Sequence, residues 1–120
     1  PDPQAEETFV QYRPDWEERH KSPHTQILEW HQSLIQLRRR LPDLTDGRME
    51  KTSVFYDEIA RWLVMTRGSV MVACNFSQKP QTVACADVKD KKMVLCSKKG
   101  LVVKKEALLL PEETVAILVS

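Results

Sequence analysis

Glycine is scarce in this chain, with only Gly47, Gly68 and Gly100 in 120 residues. No two of them are close enough to form a loop that cradles phosphate with backbone N–H groups, which excludes the common nucleotide-binding motifs. Long apolar runs are absent too. Stretches such as Trp62–Met65 and Leu108–Leu110 fall far short of the ~20 residues that span a bilayer, so no membrane partner is expected. Net charge of one sign is likewise missing. Eighteen Lys and Arg against seventeen Asp and Glu leave +1, so no global field draws the chain to nucleic acid. The three cysteines, Cys74, Cys85 and Cys96, are odd in number and have no C-x-x-C spacing. Neither a disulfide framework nor a zinc site is indicated, and a reducing cytoplasm is the expected home.

What remains is a chain rich enough in apolar residues, at 42%, to form a core. At its start Pro1-Asp2-Pro3-Gln4 has neither the basic residue nor the apolar stretch of a signal peptide, and reads as cut from something longer. Residues 1–22 carry prolines at 1, 3 and 14, many charges and no sustained apolar period. They are expected to be an extended loop anchored by Phe9, Tyr12 and Trp16. Ser22-Pro23 signals a helix start, with Ser22 as N-cap and Pro23 at the first helical position. The helix should run to about Leu41 and stop at Pro42.

At 100° per residue, Ile27, Trp30, Leu34, Leu37 and Leu41 fall on one stripe, and Leu28 and Ile35 widen it to roughly 180°. An arc that broad exceeds what a single core demands, and predicts two partners. Arg38, Arg39 and Arg40 suit the negative end of the helix dipole. His31, at the edge of the arc, is expected to be hydrogen-bonded and partly buried.

Beyond the turn signal at 43–47 the period shortens to two. Strands are expected at 61–66, 70–76, 81–86, 93–97, 101–104 and 114–119, with the first two joined as a hairpin. Short strands at such even spacing, with no helical period among them, indicate an antiparallel sandwich or barrel. The fold expected is mainly β: an N-terminal loop and one long α-helix, then the antiparallel β region, divided as 1–42 and 43–120.

Chemistry is hard to find. The acidic doublets Glu6-Glu7, Glu17-Glu18, Asp57-Glu58 and Glu112-Glu113 are sequence neighbours whose side chains diverge in any regular element, unlike the facing pair a glycosidase needs. His20 and His24 are four apart, but Pro23 breaks a shared helical face. No catalytic residue, metal ligand or cofactor site is assigned. The lysines from Lys89 to Lys105 read as protection of strand edges and turns. In the β region, Tyr56 and Trp62 are the candidates for stacking on a sugar ring.

The order of features is itself informative: Asp2-Pro3-Gln4, Thr8-Phe9 and Asp15-Trp16, then the helix PHTQILEWHQSLIQLRRRLPDL, then RWLVMTRG, VMVACNFS and LPEETVAILV. His24, Leu28, Trp30, His31, Leu34, Ile35, Leu37, Arg38 and Arg39 match the last barrel helix of α-amylase relatives. Val72–Phe76 and Leu110–Leu118 match strands of the β domain that follows it. The chain thus resembles the C-terminal part of the malto-oligosyltrehalose trehalohydrolase family within the α-amylase superfamily. The resemblance implies a (β/α)8 barrel truncated to its final loop and helix over 1–42, and an accessory sandwich of the α-amylase C-terminal type over 43–120. The family's catalytic Asp, Glu and Asp would lie upstream, so this chain is expected to be non-catalytic, while its parent releases trehalose from maltooligosyltrehalose by α-1,4 cleavage. It further implies packing of the helix on the barrel, access to maltooligosaccharide only through the parent, a substrate-loop role for Gln4, Phe9 and Trp16, and, for the isolated fragment, a helix that either folds back on the sandwich or mediates self-association.

Overall fold

The computed structural model describes residues 2–120. The chain divides into two compact units, Pro1–Leu34 and Ile35–Ser120.

In the first unit the expected extended loop gives way to two short helical pieces, α1 (Glu6–Gln11) and a 3-10 turn over Trp16–His20. Local capping accounts for both. The Asp2 carboxylate accepts from Gln4 N at 2.9 Å, and Asp2 O accepts from Ala5 N, which turns the chain into α1 with Glu6 and Glu7 in its first turn. Asp15 accepts from Glu17 N at 3.0 Å and starts the second piece. Acidic residues at a helix start are favoured by its exposed N–H groups. Each piece is too short for an apolar period to reveal it.

The long helix α2 spans His24–Arg40, one residue later than expected, and the Ser22–Pro23 peptide bond before it is cis. Leu37 is buried, and Trp30, Leu34 and Leu41 are half-buried, at spacings of four, three and four. Ile27, Leu28 and Ile35, on the flank of the arc, are exposed. The broad apolar arc is therefore covered on one side and open on the other. His31 bonds Ile27 O through Nδ1 at 2.8 Å, as expected, but is exposed rather than partly buried.

The second unit holds eight strands in two antiparallel sheets packed as a sandwich: β1 (Thr52–Asp57), β2 (Trp62–Arg67), β3 (Val70–Asn75), β4 (Gln81–Ala84), β5 (Lys92–Cys96), β6 (Val102–Val103), β7 (Ala107–Leu110) and β8 (Thr114–Val119). The larger sheet runs β1-β2-β3-β8-β5 and the smaller β4-β7-β6. β1 and β7 were not among the strands expected. Ala107–Leu110 has no polar alternation because Leu108 and Leu110 are buried and Ala107 and Leu109 half-buried, so a period-two search passes over it.

Val64, Met71, Ala73, Ala116 and Leu118 from the larger sheet meet Val83, Cys85, Val88, Leu108 and Leu110 in one buried cluster. Cross-strand registers Val64↔Ala73, Met71↔Leu118 and Ala73↔Ala116 bring the first five onto a common face. β3 and β8 are the most enclosed strands, each with four of six residues buried.

One buried polar side chain joins three segments at an end of the sandwich. Asn75, 2% exposed, donates from Nδ2 to Lys79 O, Leu110 O and Pro111 O at 2.9, 3.3 and 2.9 Å, while its Oδ1 accepts from Ser77 N at 2.9 Å. Asn75→Ala would leave these carbonyls and the Ser77 N–H short of partners in a site closed to water. A loss of about 2–4 kcal/mol is expected for several groups left unsatisfied at once. Urea unfolding followed by tryptophan fluorescence measures it, and an unchanged midpoint would contradict this role.

Candidate functional site

The densest polar arrangement in the second unit lies where the helix hands over to the sheet. Asp43, in the 3-10 turn Pro42–Leu44 directly after α2, places Oδ2 against the β2–β3 hairpin turn, accepting from Ser69 N at 2.8 Å and Ser69 Oγ at 2.7 Å. Arg67, the last residue of β2, donates from Nε to Asp43 O at 2.6 Å, from Nη1 to Arg48 O at 2.9 Å and Thr52 Oγ1 at 2.6 Å, and from Nη2 to Asp46 Oδ1 at 2.7 Å. Lys51 completes the cluster, 2.7 Å from Asp46 Oδ2 and 3.3 Å from Asp43 Oδ1. The rigid fork of a guanidinium suits Arg67 to this work, since it satisfies two backbone carbonyls, a hydroxyl and a carboxylate at once.

The Ser69 N–H and hydroxyl, followed by Lys51, hold the Asp43 carboxyl below its usual range. Lys51, then the Arg48 N–H, takes Asp46 down to about 2. The two carboxylates in turn raise Lys51, Asp46 more than Asp43. Carboxylates this thoroughly ionised and occupied by donors do not serve as general acids at neutral pH. The cluster fastens one segment to another.

Gly68 explains how the approach is possible. It sits at the first central position of the two-residue turn with φ +56°, and a Cβ there would come within 2.5 Å of the Asp43 carboxylate.

The residues singled out for sugar contact are dispersed. Gln4 is exposed and uses its backbone N–H on Asp2. Phe9 lies on α1 at 74% exposure and Trp16 opens the 3-10 turn at 69%. Trp62 is half-buried against the core cluster, edge-on to Phe55 with ring centroids 5.9 Å apart. Tyr56 is 61% exposed. The register pairs Tyr56 with Leu63 and Asp57 with Trp62, so Tyr56 and Trp62 project from opposite faces of the sheet and do not form one platform. Burial pushes the Cys74 thiol up, and Cys96, packed against the core cluster, donates from Sγ to Lys98 O at 3.0 Å. Among the described residues no group of three or more His, Cys, Asp or Glu could hold a metal ion, and no helix is long and apolar enough to cross a membrane. Sequence reasoning missed the Asp43–Arg67 cluster because its members, 24 residues apart, leave no local motif. The one visible sign was Gly68 in a hairpin turn.

Comparison with known families places the sandwich. Residues 47–117 match the family described as a domain of unknown function, DUF3459. The chain belongs to that family. The matched segment contains β1 to β7 and most of β8, together with Lys51, Arg67 and Ser69, while Asp43 and Asp46 stand just ahead of it. This DUF3459 chain is also similar to several malto-oligosyltrehalose trehalohydrolases. It is 44% identical over 80 residues to that of Rhizobium sp. (strain M-11), covering 67% of this chain. It is 39% identical over 83 residues to that of Mycobacterium tuberculosis (strain ATCC 25618 / H37Rv), covering 69%, and 33% identical over 86 residues to that of Deinococcus radiodurans, covering 70%. The match takes in only 13–14% of the length of these relatives. No solved structure matches the chain significantly.

Two measurements check the cluster. Gly68→Ala forces a left-handed Cβ into the Asp43 carboxylate and is expected to cost about 2 kcal/mol in chemical unfolding; a neutral effect would mean that the close approach is dispensable. The depressed Asp46 and Asp43 set a sign for pH. Between the folded-state value of about 2 for Asp46 and its usual 3.8, the unfolded chain binds more protons, so stability is complete above that window and falls as pH drops through it. In Asp46→Asn the slope across that window should flatten, and a slope identical to wild type would remove Asp46 from the account.

Proposed function

We propose that this chain is the non-catalytic C-terminal portion of a glycoside hydrolase of the trehalohydrolase kind. Residues 1–42 would then be the final loop and helix of its catalytic barrel, and 43–120 the accessory sandwich that covers that helix. One observation carries the reading: a match to malto-oligosyltrehalose trehalohydrolases that takes in about one seventh of their length or less, made by a chain that holds a sandwich with its own core. The half-open arc of α2 supports it, because Ile27, Leu28 and Ile35 remain exposed and suit a second partner such as a barrel. Phe9, Tyr12 and Trp16, equally exposed, suit burial against the same body, with Gln4, Phe9 or Trp16 helping to shape a distal sugar subsite. The acidic cluster contributes no chemistry to this reading, since Asp43 and Asp46 are committed to Ser69, Lys51 and Arg67. In the whole protein the reaction would be α-1,4 cleavage that releases trehalose from maltooligosyltrehalose. The domain's part is to hold the last helix in place.

A carbohydrate-binding module is the second reading. It draws on Tyr56, which offers an open ring, more than on Trp62, which is packed on the core.

Titrating the chain with maltooligosaccharides and trehalose, while following backbone amides and the three indole N–H groups, separates the two. No shifts at millimolar sugar, together with no trehalose released from maltooligosyltrehalose, is the expected result. Shifts confined to Tyr56 and its neighbours would establish the binding module instead, and released trehalose would defeat the non-catalytic reading.

A further inference from the structure

The two sheets have four edges, and three are visibly blunted. β5 begins with Lys92 and is broken by a bulge between Met93 and Leu95. β4 is four residues long and follows Lys79-Pro80. β6 is two residues long and runs into Lys104 and Lys105. Short strands, bulges, lysine and proline are the usual means by which an open edge is kept from pairing with another chain. β1 has none of them within it, and the Lys51 just ahead of it is paired with Asp46 and Asp43. Thr52–Asp57 forms six consecutive unbroken pairs with β2 and contains no lysine, proline or glycine.

The direction of its free backbone groups follows from the neighbouring hairpin. A two-residue turn at Gly68-Ser69 makes Arg67 and Val70 a hydrogen-bonded pair, and the alternation continues to Phe76 N donating to Arg61 O at 2.8 Å. Odd-numbered residues of β2 therefore face β3, and Trp62, Val64 and Thr66 face β1. Across the register, Ser53, Phe55 and Asp57 turn to β2, whereas Thr52, Val54 and Tyr56 turn to the open edge. The Thr52 N–H is taken by Met49 O. Among the described residues, the N–H groups of Val54 and Tyr56 and the carbonyls of all three have no backbone partner.

We infer that β1 is a self-recognition edge: two copies of this chain pair antiparallel through it about a twofold axis at Val54, joining their larger sheets into one. A symmetric pair must match residues on the same face, and centring on Val54 sets Val54 against Val54 and Thr52 against Tyr56 of the second copy, which forms about four hydrogen bonds from the free groups. In this register no charged side chain lies between Thr52 and Tyr56 to oppose the pairing. The side chains agree. On the face away from the core, Val54, Met65, Val72 and Ile117 stand in one cross-strand row, and Tyr56, Leu63, Cys74 and Val115 in the next. Val54 is 50% exposed and Tyr56 61%. A second copy extends the first row across the axis through its own Val54, and covers the apolar surface that ends it.

Sedimentation velocity on the 120-residue chain, from micromolar to several hundred micromolar, combined with amide exchange at both extremes, tests this. A concentration-dependent dimer is expected, with the Val54 and Tyr56 amides exchanging at least about tenfold more slowly at high concentration while Ser53 and Phe55 are protected at both. Val54→Pro removes an N–H that β2 does not use, so the fold should survive and the dimer should not. Val54→Lys does the same by charge should proline prove disruptive, and circular dichroism confirms folding in each. Ile35→Glu, on the open flank of α2, should leave the dimer intact. A chain monomeric at every concentration overturns the inference. So does a dimer that persists in both Val54 variants, or one that only Ile35→Glu dissolves. The result is independent of whether the chain binds sugar.

Discussion

The joining of the turn after α2 to the β2–β3 hairpin rests here on one carboxylate. Asp43 reaches from the end of α2 to a hairpin turn 26 residues away and accepts two hydrogen bonds from Ser69, while Arg67 holds the backbone carbonyl of the same residue. The attachment works because Gly68 has no side chain to keep the carboxylate out, and because Lys51 and Arg67 supply the cations that make several acidic atoms tolerable in a half-shielded position. Asp46 and Thr52 then extend the hold to the entry of β1. The connection from helix to first strand is thus pinned along its length.

That attachment gives meaning to the divided surface of α2. The apolar arc of α2 is about 180° wide, and the stripe through Trp30, Leu34, Leu37 and Leu41 is its less exposed half. Ile27, Leu28 and Ile35 are exposed on its other half. Hydrophobic burial is proportional to area removed from water, so residues left open on a helix held this firmly stay a source of free energy for association. In the relatives this chain resembles, six sevenths or more of the protein lies outside the match, which leaves ample material for a partner.

The mainly β architecture was legible in the sequence because half-buried strands write their own period: Thr114–Val119 was delimited to the residue, and Trp62–Arg67 and Val70–Asn75 to within one. Helix α2 was equally plain, from a stripe of large apolar residues and a terminal proline. β7 was hidden because enclosure on both sides erases alternation. The short helices near Glu6 and Trp16 were hidden because Asp2 and Asp15 create them through hydrogen bonds two residues away, a signal that prolines and charges mask. Tyr56 and Trp62 looked equivalent as bare aromatics, and only the register separated them onto opposite faces. The Asp43 cluster had no sequence signature, since it depends on which hairpin turn lies beside the helix end.

The position of β8 has a bearing on how the domain comes into being. Thr114–Val119 stands between β3 and β5 with both its ladders occupied, although it is the last of the eight strands to be made. Until it leaves the ribosome, β3 and β5 have no common neighbour, and Met71 and Ala73 lack the partners that shield them from water. The larger sheet therefore closes around its final strand rather than growing outward from its first. Its pairing with β3 spans 39 residues of chain at Asn75↔Thr114 and 49 at Val70↔Val119, the kind of long-range closure that sets a slow pace for folding.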